Sequence, residues 1–196
     1  THHQYNVDPP GKRITYRSNR EGLGEGFEDS SVRHSIAADL ALADHYEVTI
    51  GELELAVLRQ ARIHDPNALA LLTSVPGIGK VLALTILYEI HDISRFPSVR
   101  DFAYYSRLVK CERSSAGKSL GSGGNKIGNA YLKWAFSEAA VLFVAKSEQG
   151  RTVLTRLERK YGKPKALSVL AHKLGRAVYY MLARKQAFDP QRFATS

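Results

Sequence analysis

Cysteine is almost absent: Cys111 is the only one in 196 residues. That excludes an internal disulfide framework and a multi-cysteine zinc site. A lone thiol also fits a reducing compartment. Methionine is equally scarce, with Met181 alone, and the chain opens Thr1-His2-His3-Gln4. The expectation is an excised or truncated product. No apolar run is long enough to span a bilayer, and no signal peptide opens the chain. No two histidines have metal-ligand spacing, so no metal ligands are assigned in this chain. Alternating strand patterns and internal repeats are also lacking, which leaves helices as the expected fold.

What is abundant is positive charge, unevenly placed. The net charge is +9, with 44% hydrophobic residues. That much apolar content allows a packed core rather than a disordered tail. Residues 1–70 carry 7 Lys/Arg against 11 Asp/Glu, whereas residues 71–196 carry 21 against 8. An acidic segment suits protein contact. A basic one suits a polyanion, because each neutralised phosphate releases counterions.

Turn and helix signals divide the chain into four stretches. Residues 1–30 read as an extended entry segment: Asp8-Pro9-Pro10-Gly11 is turn-rich, and Gly22, Gly24 and Gly26 break any helix. Tyr5, Arg13, Tyr16, Arg17 and Arg20 would make it either a docking arm or a plain linker. Residues 31–66 read as one long helix. Ile36, Leu40, Ala43, Tyr46, Ile50, Leu53, Val57 and Ala61 recur three and four apart, the mark of one apolar stripe. A narrow stripe of this length fits a coiled-coil contact or a helix laid on its own domain. Residues 68–186 read as a compact helical domain, with short helices at 68–74 and 81–90. Longer helices follow at 130–146, 151–161 and 166–185, and Ser98 caps another. Within this domain, residues 107–126 read as a loop rich in Gly, Ser and Lys. Residues 187–196 read as a tail. The fold class expected is all-α.

Two segments carry the binding chemistry. Val75-Pro76-Gly77-Ile78-Gly79-Lys80 lies between two short helices, in the pattern of a helix-hairpin-helix element. Gly77 and Gly79 permit backbone angles closed to other residues. The following helix then presents free N–H groups, a ready site for phosphate, with Lys80 adding charge and Ile78 plugging the turn. Pro76, Gly77, Gly79 and Lys80 are therefore candidate DNA contacts. The alternative is a Pro-Gly connection that binds nothing. The second segment is Arg113-Ser114-Ser115-Ala116-Gly117-Lys118-Ser119-Leu120-Gly121-Ser122-Gly123-Gly124-Asn125-Lys126. Its Gly117-Lys118-Ser119 is not a nucleotide-binding loop, because Glu112 stands where the earlier glycine is required. Arg113, Lys118 and Lys126 suit phosphate contact. A serine beside them is either a nucleophile on phosphate or part of a loop that merely touches the backbone.

Outside these segments, His172, Arg176 and Tyr180 share one helix face at spacings of four, with Lys173 adjacent: a face for phosphate, or a solvated one. Trp134 and Phe136 are expected in the core, and packing is likewise the expected role of Tyr104, Tyr105, Tyr179 and Tyr180. Cys111, without a partner, is given no catalytic role.

Val75-Pro76-Gly77-Ile78-Gly79, Phe96 through Tyr105, Ser115-Ala116-Gly117-Lys118 and the run Lys126 to Ala140 together resemble the C-terminal domain of insertion-sequence 110 family transposases. The last run resembles the 1111 subgroup in particular. The likeness covers most of residues 70–185, in order, and the long helix resembles the coiled coil that joins that family's two domains. The resemblance implies a DNA recombinase with Ser115 as the nucleophile and Ser114 as the second choice. It implies a resolvase-like N-terminal domain with an acidic divalent-metal (magnesium) site. That domain would precede Thr1, and the carboxylates after residue 70 form no such cluster. This chain alone is then expected to bind DNA without recombining it. Implied partners are double-stranded DNA, a structured guide RNA of the kind some members use, and further copies in a dimer or tetramer through the long helix. The implied location is a prokaryotic cytoplasm, at the nucleoid when DNA is bound. The rivals are a non-enzymatic helix-hairpin-helix binding module and a glycosylase-like repair domain using Asp92.

Overall fold

The computed structural model describes residue 11, residues 13–109, the backbone of residues 112–115 and 118–122, and residues 127–195. The chain divides into two compact units, residues 1–56 and 57–196.

In the first unit, a short 3-10 turn (Arg17–Asn19) precedes the helix α1 (Ser30–His64), which runs on into the second. Phe27 and Val32 are buried, and the Arg33 guanidinium donates to the Phe27 and Glu28 carbonyls. Arg20 pairs with Asp44 and, at 3.2 Å, with Glu47, and Arg17 reaches Asp44 at 3.7 Å. Two cations expected of a docking arm are thus held by acids of α1. Along α1, Tyr46, Ile50, Leu53 and Val57 of the expected stripe are exposed, whereas Ala61 is fully buried.

The second unit is helical: α2 (Pro66–Thr73), α3 (Lys80–Ile90), α4 (Val99–Tyr105), α5 (Ala130–Lys146), α6 (Glu148–Tyr161), α7 (Lys163–Arg184) and α8 (Pro190–Thr195). Each start has a local cause. Asp65 accepts from the Ala68 N–H at 2.8 Å, and Pro66 opens α2, where its missing N–H costs nothing. Ser98 accepts from the Asp101 N–H, and Asn129 from the Leu132 N–H at 2.9 Å. Ser147 accepts from the Gly150 N–H, so α6 begins before Arg151. Gly150 is tolerated inside that helix because a Cβ there would lie 2.5 Å from the Phe143 carbonyl oxygen. Its lack of a side chain is what lets α6 press on α5.

One core joins these helices, with Leu72, Ile86, Phe102, Leu132, Phe136, Phe143, Leu170 and Leu174 among its buried members. The fold is all-α, with one local departure. Residues 107–126, expected as a loop, contain two short antiparallel strands, β1 (Glu112–Ser115) and β2 (Lys118–Ser122). Small hydroxyl residues and glycines hide the alternation that marks a strand. Within residues 187–196, expected as a tail, Pro190–Thr195 form α8. Phe193 is buried there, and its ring and that of Phe188 meet Phe143 edge-on at 5.2 and 5.8 Å. Trp134, expected in the core, is 46% exposed, while Phe136 is fully buried. The spacing of α5 puts those two residues on different faces. Among the described residues, no helix is long and apolar enough to cross a membrane.

Candidate functional site

The turn between α2 and α3 is held from both sides. The Ile78 N–H donates to the Val75 carbonyl at 3.0 Å, and Gly77 has φ +96°. Pro at the second and Gly at the third position of such a turn match the type II geometry. Gly77 is required twice over, because a Cβ would also lie 2.6 Å from the Phe143 backbone nitrogen. Val75 and Ile78 are buried, so the turn is plugged onto its own helices as the sequence suggests. The Ser74 hydroxyl accepts from the Phe188 N–H, which adds the C-terminal segment to the buttress.

The turn opens α3 outward. Gly79 caps the helix in extended backbone (φ −84°, ψ −175°), and among the described residues no side chain bonds to the free N–H groups that follow. A Cβ at Gly79 would meet nothing within 4 Å. Lys80 is exposed, and no acid lies in the first turn. Unsatisfied N–H groups and the helix dipole together favour an anion at this end. The rest of α3 is fixed, since Leu82, Ala83, Leu84, Ile86, Leu87 and Ile90 are buried.

The serine segment is stapled at its base. Arg107 donates to the Gly128 carbonyl at 2.9 Å, and the Asn129 N–H donates to the Tyr105 carbonyl at 2.6 Å. Gly128 has φ +95°, and a Cβ there would lie 2.6 Å from that same Tyr105 carbonyl oxygen. Asn129 also donates its side-chain amide to the Glu89 carboxylate while capping α5. One side chain therefore connects the end of α3, the start of α5 and the base of the serine hairpin. Sequence reading passed over this role. Asn before a helix signals a cap, but its bond to Glu89 joins residues 40 apart.

Within the hairpin, Ser115 stands opposite Lys118 in register and Ser114 opposite Ser119, with an irregularity between Glu112 and Ser114. The side chains of Arg113, Ser114, Ser115 and Lys118 lie outside the described residues, as do Cys111 and Lys126. Pro76, Gly77, Gly79 and Lys80 are brought together in the α2–α3 turn. Asp92, the carboxylate of the repair-domain rival, is already engaged. It accepts from the Ser94 hydroxyl at 2.6 Å and the Ser94 N–H at 2.9 Å, which holds its carboxyl below the ordinary value. Among the described residues, no three His, Cys, Asp or Glu side chains are grouped to hold a metal ion.

Comparison with known proteins places this helical segment among transposase domains. Residues 69–154 match the model of the transposase IS116/IS110/IS902 family. The transposase for insertion sequence element IS1111A of Coxiella burnetii is 26% identical over 119 residues, covering 59% of this chain and 33% of that protein. The transposase for insertion sequence element IS1328 of Yersinia enterocolitica is 29% identical over 156 residues, covering 76% of this chain and 46% of that protein. Through this segment the chain is similar to transposases of the IS116/IS110/IS902 family. It spans between a third and a half of the length of these curated relatives.

Proposed function

We propose that this chain is the DNA-gripping part of an insertion-sequence transposase and carries its serine nucleophile. The observation that carries this reading is the uncapped start of α3 behind a turn locked on Phe143, with Lys80 exposed at its mouth. The α2–α3 pair acts as a helix-hairpin-helix element. It seats one backbone phosphate on the N–H groups of α3 and leaves sequence unread, since such contacts position DNA rather than specify it.

Ser115 is the nucleophile. The hairpin register supports it over Ser114, because its backbone partner is Lys118, a cation suited to charge on phosphoryl oxygens. The serine oxygen bonds to a DNA phosphorus and displaces a sugar oxygen, and its proton passes to a base from outside the described residues. The described residues do not fit a metal site, so no step through a metal is assigned to them. The carboxylates for one belong to the remainder of a whole transposase, and this chain alone binds DNA without cutting it. The exposed stripe Tyr46, Ile50, Leu53 and Val57 pairs with a second copy, the β-branched and Leu alternation suiting a two-stranded coil.

The test is duplex binding across a salt series. Wild-type affinity should fall steeply with salt, and Lys80→Ala should flatten the slope by about one. A Lys80→Ala slope equal to wild type would remove the turn from the interface. In a full-length transposase, Ser115→Ala should abolish recombination and Ser114→Ala should spare it. Recombination intact in Ser115→Ala would leave a binding module with no chemistry of its own.

A further inference from the structure

Helix α7 has 22 residues and no acid: Lys163, Lys165, Lys173, Arg176 and Arg184 stand against not one Asp or Glu. Its buried side is continuous, through Ala166, Leu170, Leu174, Val178 and Met181. The outer side follows from helical spacing, and Lys165, Ser168, Arg176, Tyr180 and Arg184 along it are exposed, with His172 and Lys173 half-buried. Among the described residues, none of Lys163, Lys165, Arg176 and Arg184 pairs with a carboxylate. Folding sets ionisable nitrogen groups near one another here. Burial, reinforced by Arg176, pushes the His172 imidazole below its usual range, and burial with Arg156 of α6 does the same to the Lys173 ammonium. A nearby anion would relieve the smaller, repulsive part of each shift. The helix begins after residue 154, where the family match ends.

We infer that the outer face of α7 is a second DNA-contact surface, which tracks the phosphates of a duplex independently of the turn before α3. It shares with the reading above only that the ligand is DNA. From Lys165 to Arg184 the stripe runs ~29 Å at the α-helical rise, close to one turn of B-DNA, ~34 Å. A straight row of separated cations suits the regular backbone of a duplex. Unpaired strands are instead held by rows of stacking rings. Tyr180 is the exposed ring on this face, and the Arg184 guanidinium covers it at 4.7 Å from its centroid.

The test uses the whole chain, a short fluorescein-labelled duplex of random sequence and anisotropy over a salt series. The triple variant Lys165→Gln, Arg176→Gln and Arg184→Gln should weaken low-salt binding at least tenfold. It should also flatten the slope by roughly two to three, about 0.9 per lost phosphate contact. Lysine at position 176 (Arg176→Lys), placed back in that background, should restore part of the slope. Lys80→Ala is run beside it. A flattened slope in the triple variant with a wild-type slope in Lys80→Ala supports the α7 surface and sinks the turn. The reverse pattern overturns the α7 surface and spares the turn. Amide exchange of the wild-type protein covers the case in which the triple variant does not fold: duplex should slow exchange on the exposed edge of residues 163–184, and unchanged exchange there overturns the inference. An unlabelled RNA hairpin that displaces label through these three residues, where unlabelled duplex does not, also overturns it.

Discussion

The two units of this chain differ in which of their cations meet carboxylates. In the first, Arg17 and Arg20 are taken up by Asp44 and Glu47, and Arg33 by backbone carbonyls. In the second, Lys80 at the mouth of α3 and Lys163, Lys165, Arg176 and Arg184 on α7 meet no carboxylate among the described residues. Net charge alone does not separate a cation available to phosphate from one already neutralised. Pairing does, because a paired guanidinium must lose one partner to gain another.

The comparison breaks most severely at Gly77. Gly77→Ala combines a positive φ with a clash on the Phe143 backbone, and should cost about 2 kcal/mol or more in a denaturant melt. Gly79→Ala meets open space and should cost less than about 1 kcal/mol. Equal effects would mean that the turn does not rest on α5. Asn129→Ala comes next. Losing the cap of α5 should cost about 1 kcal/mol, with Glu89 left short of its donor. A variant as stable as wild type would deny Asn129 its place at the base of the hairpin.

The pairing argument is sharpened in the first unit. Asp44→Asn with Glu47→Gln frees Arg17 and Arg20, and the salt slope for duplex binding should steepen by up to about two. An unchanged slope would mean that pairing is not what keeps those arginines from DNA. The smallest effect concerns pH. His172 is held below its unfolded value, so the unfolded chain takes up the proton first. Stability should therefore fall as pH drops from the ordinary histidine range through the lowered value, then level off. His172→Gln should remove that dip from a series of melts, and a dip of full size in the variant would assign it elsewhere.

Local signals fixed much of the helical order. Ala130–Lys146 is bounded by Asn129 and Ser147, both of which cap through their own side chains, and apolar spacing alone finds it. The α2–α3 turn was equally legible, since Pro76-Gly77 permits few backbone paths. Other features were not local. The last long helix is expected from residue 166, yet α7 starts at Lys163 because Pro164 is accepted in a first turn. The β1–β2 pairing leaves no apolar alternation to read, and Phe193 looks like part of a tail until Phe143 and Phe188 come within reach.

By itself, the sequence determined the helices, their caps, the glycine turn and the uneven charge, all of which depend on neighbours a few residues apart. Only the tertiary structure decided that Gly77 abuts Phe143, that Glu89 holds Asn129, and which arginines are already neutralised. Those contacts join residues 24 to 66 positions apart along the chain, and only chain closure brings them within a bond's reach.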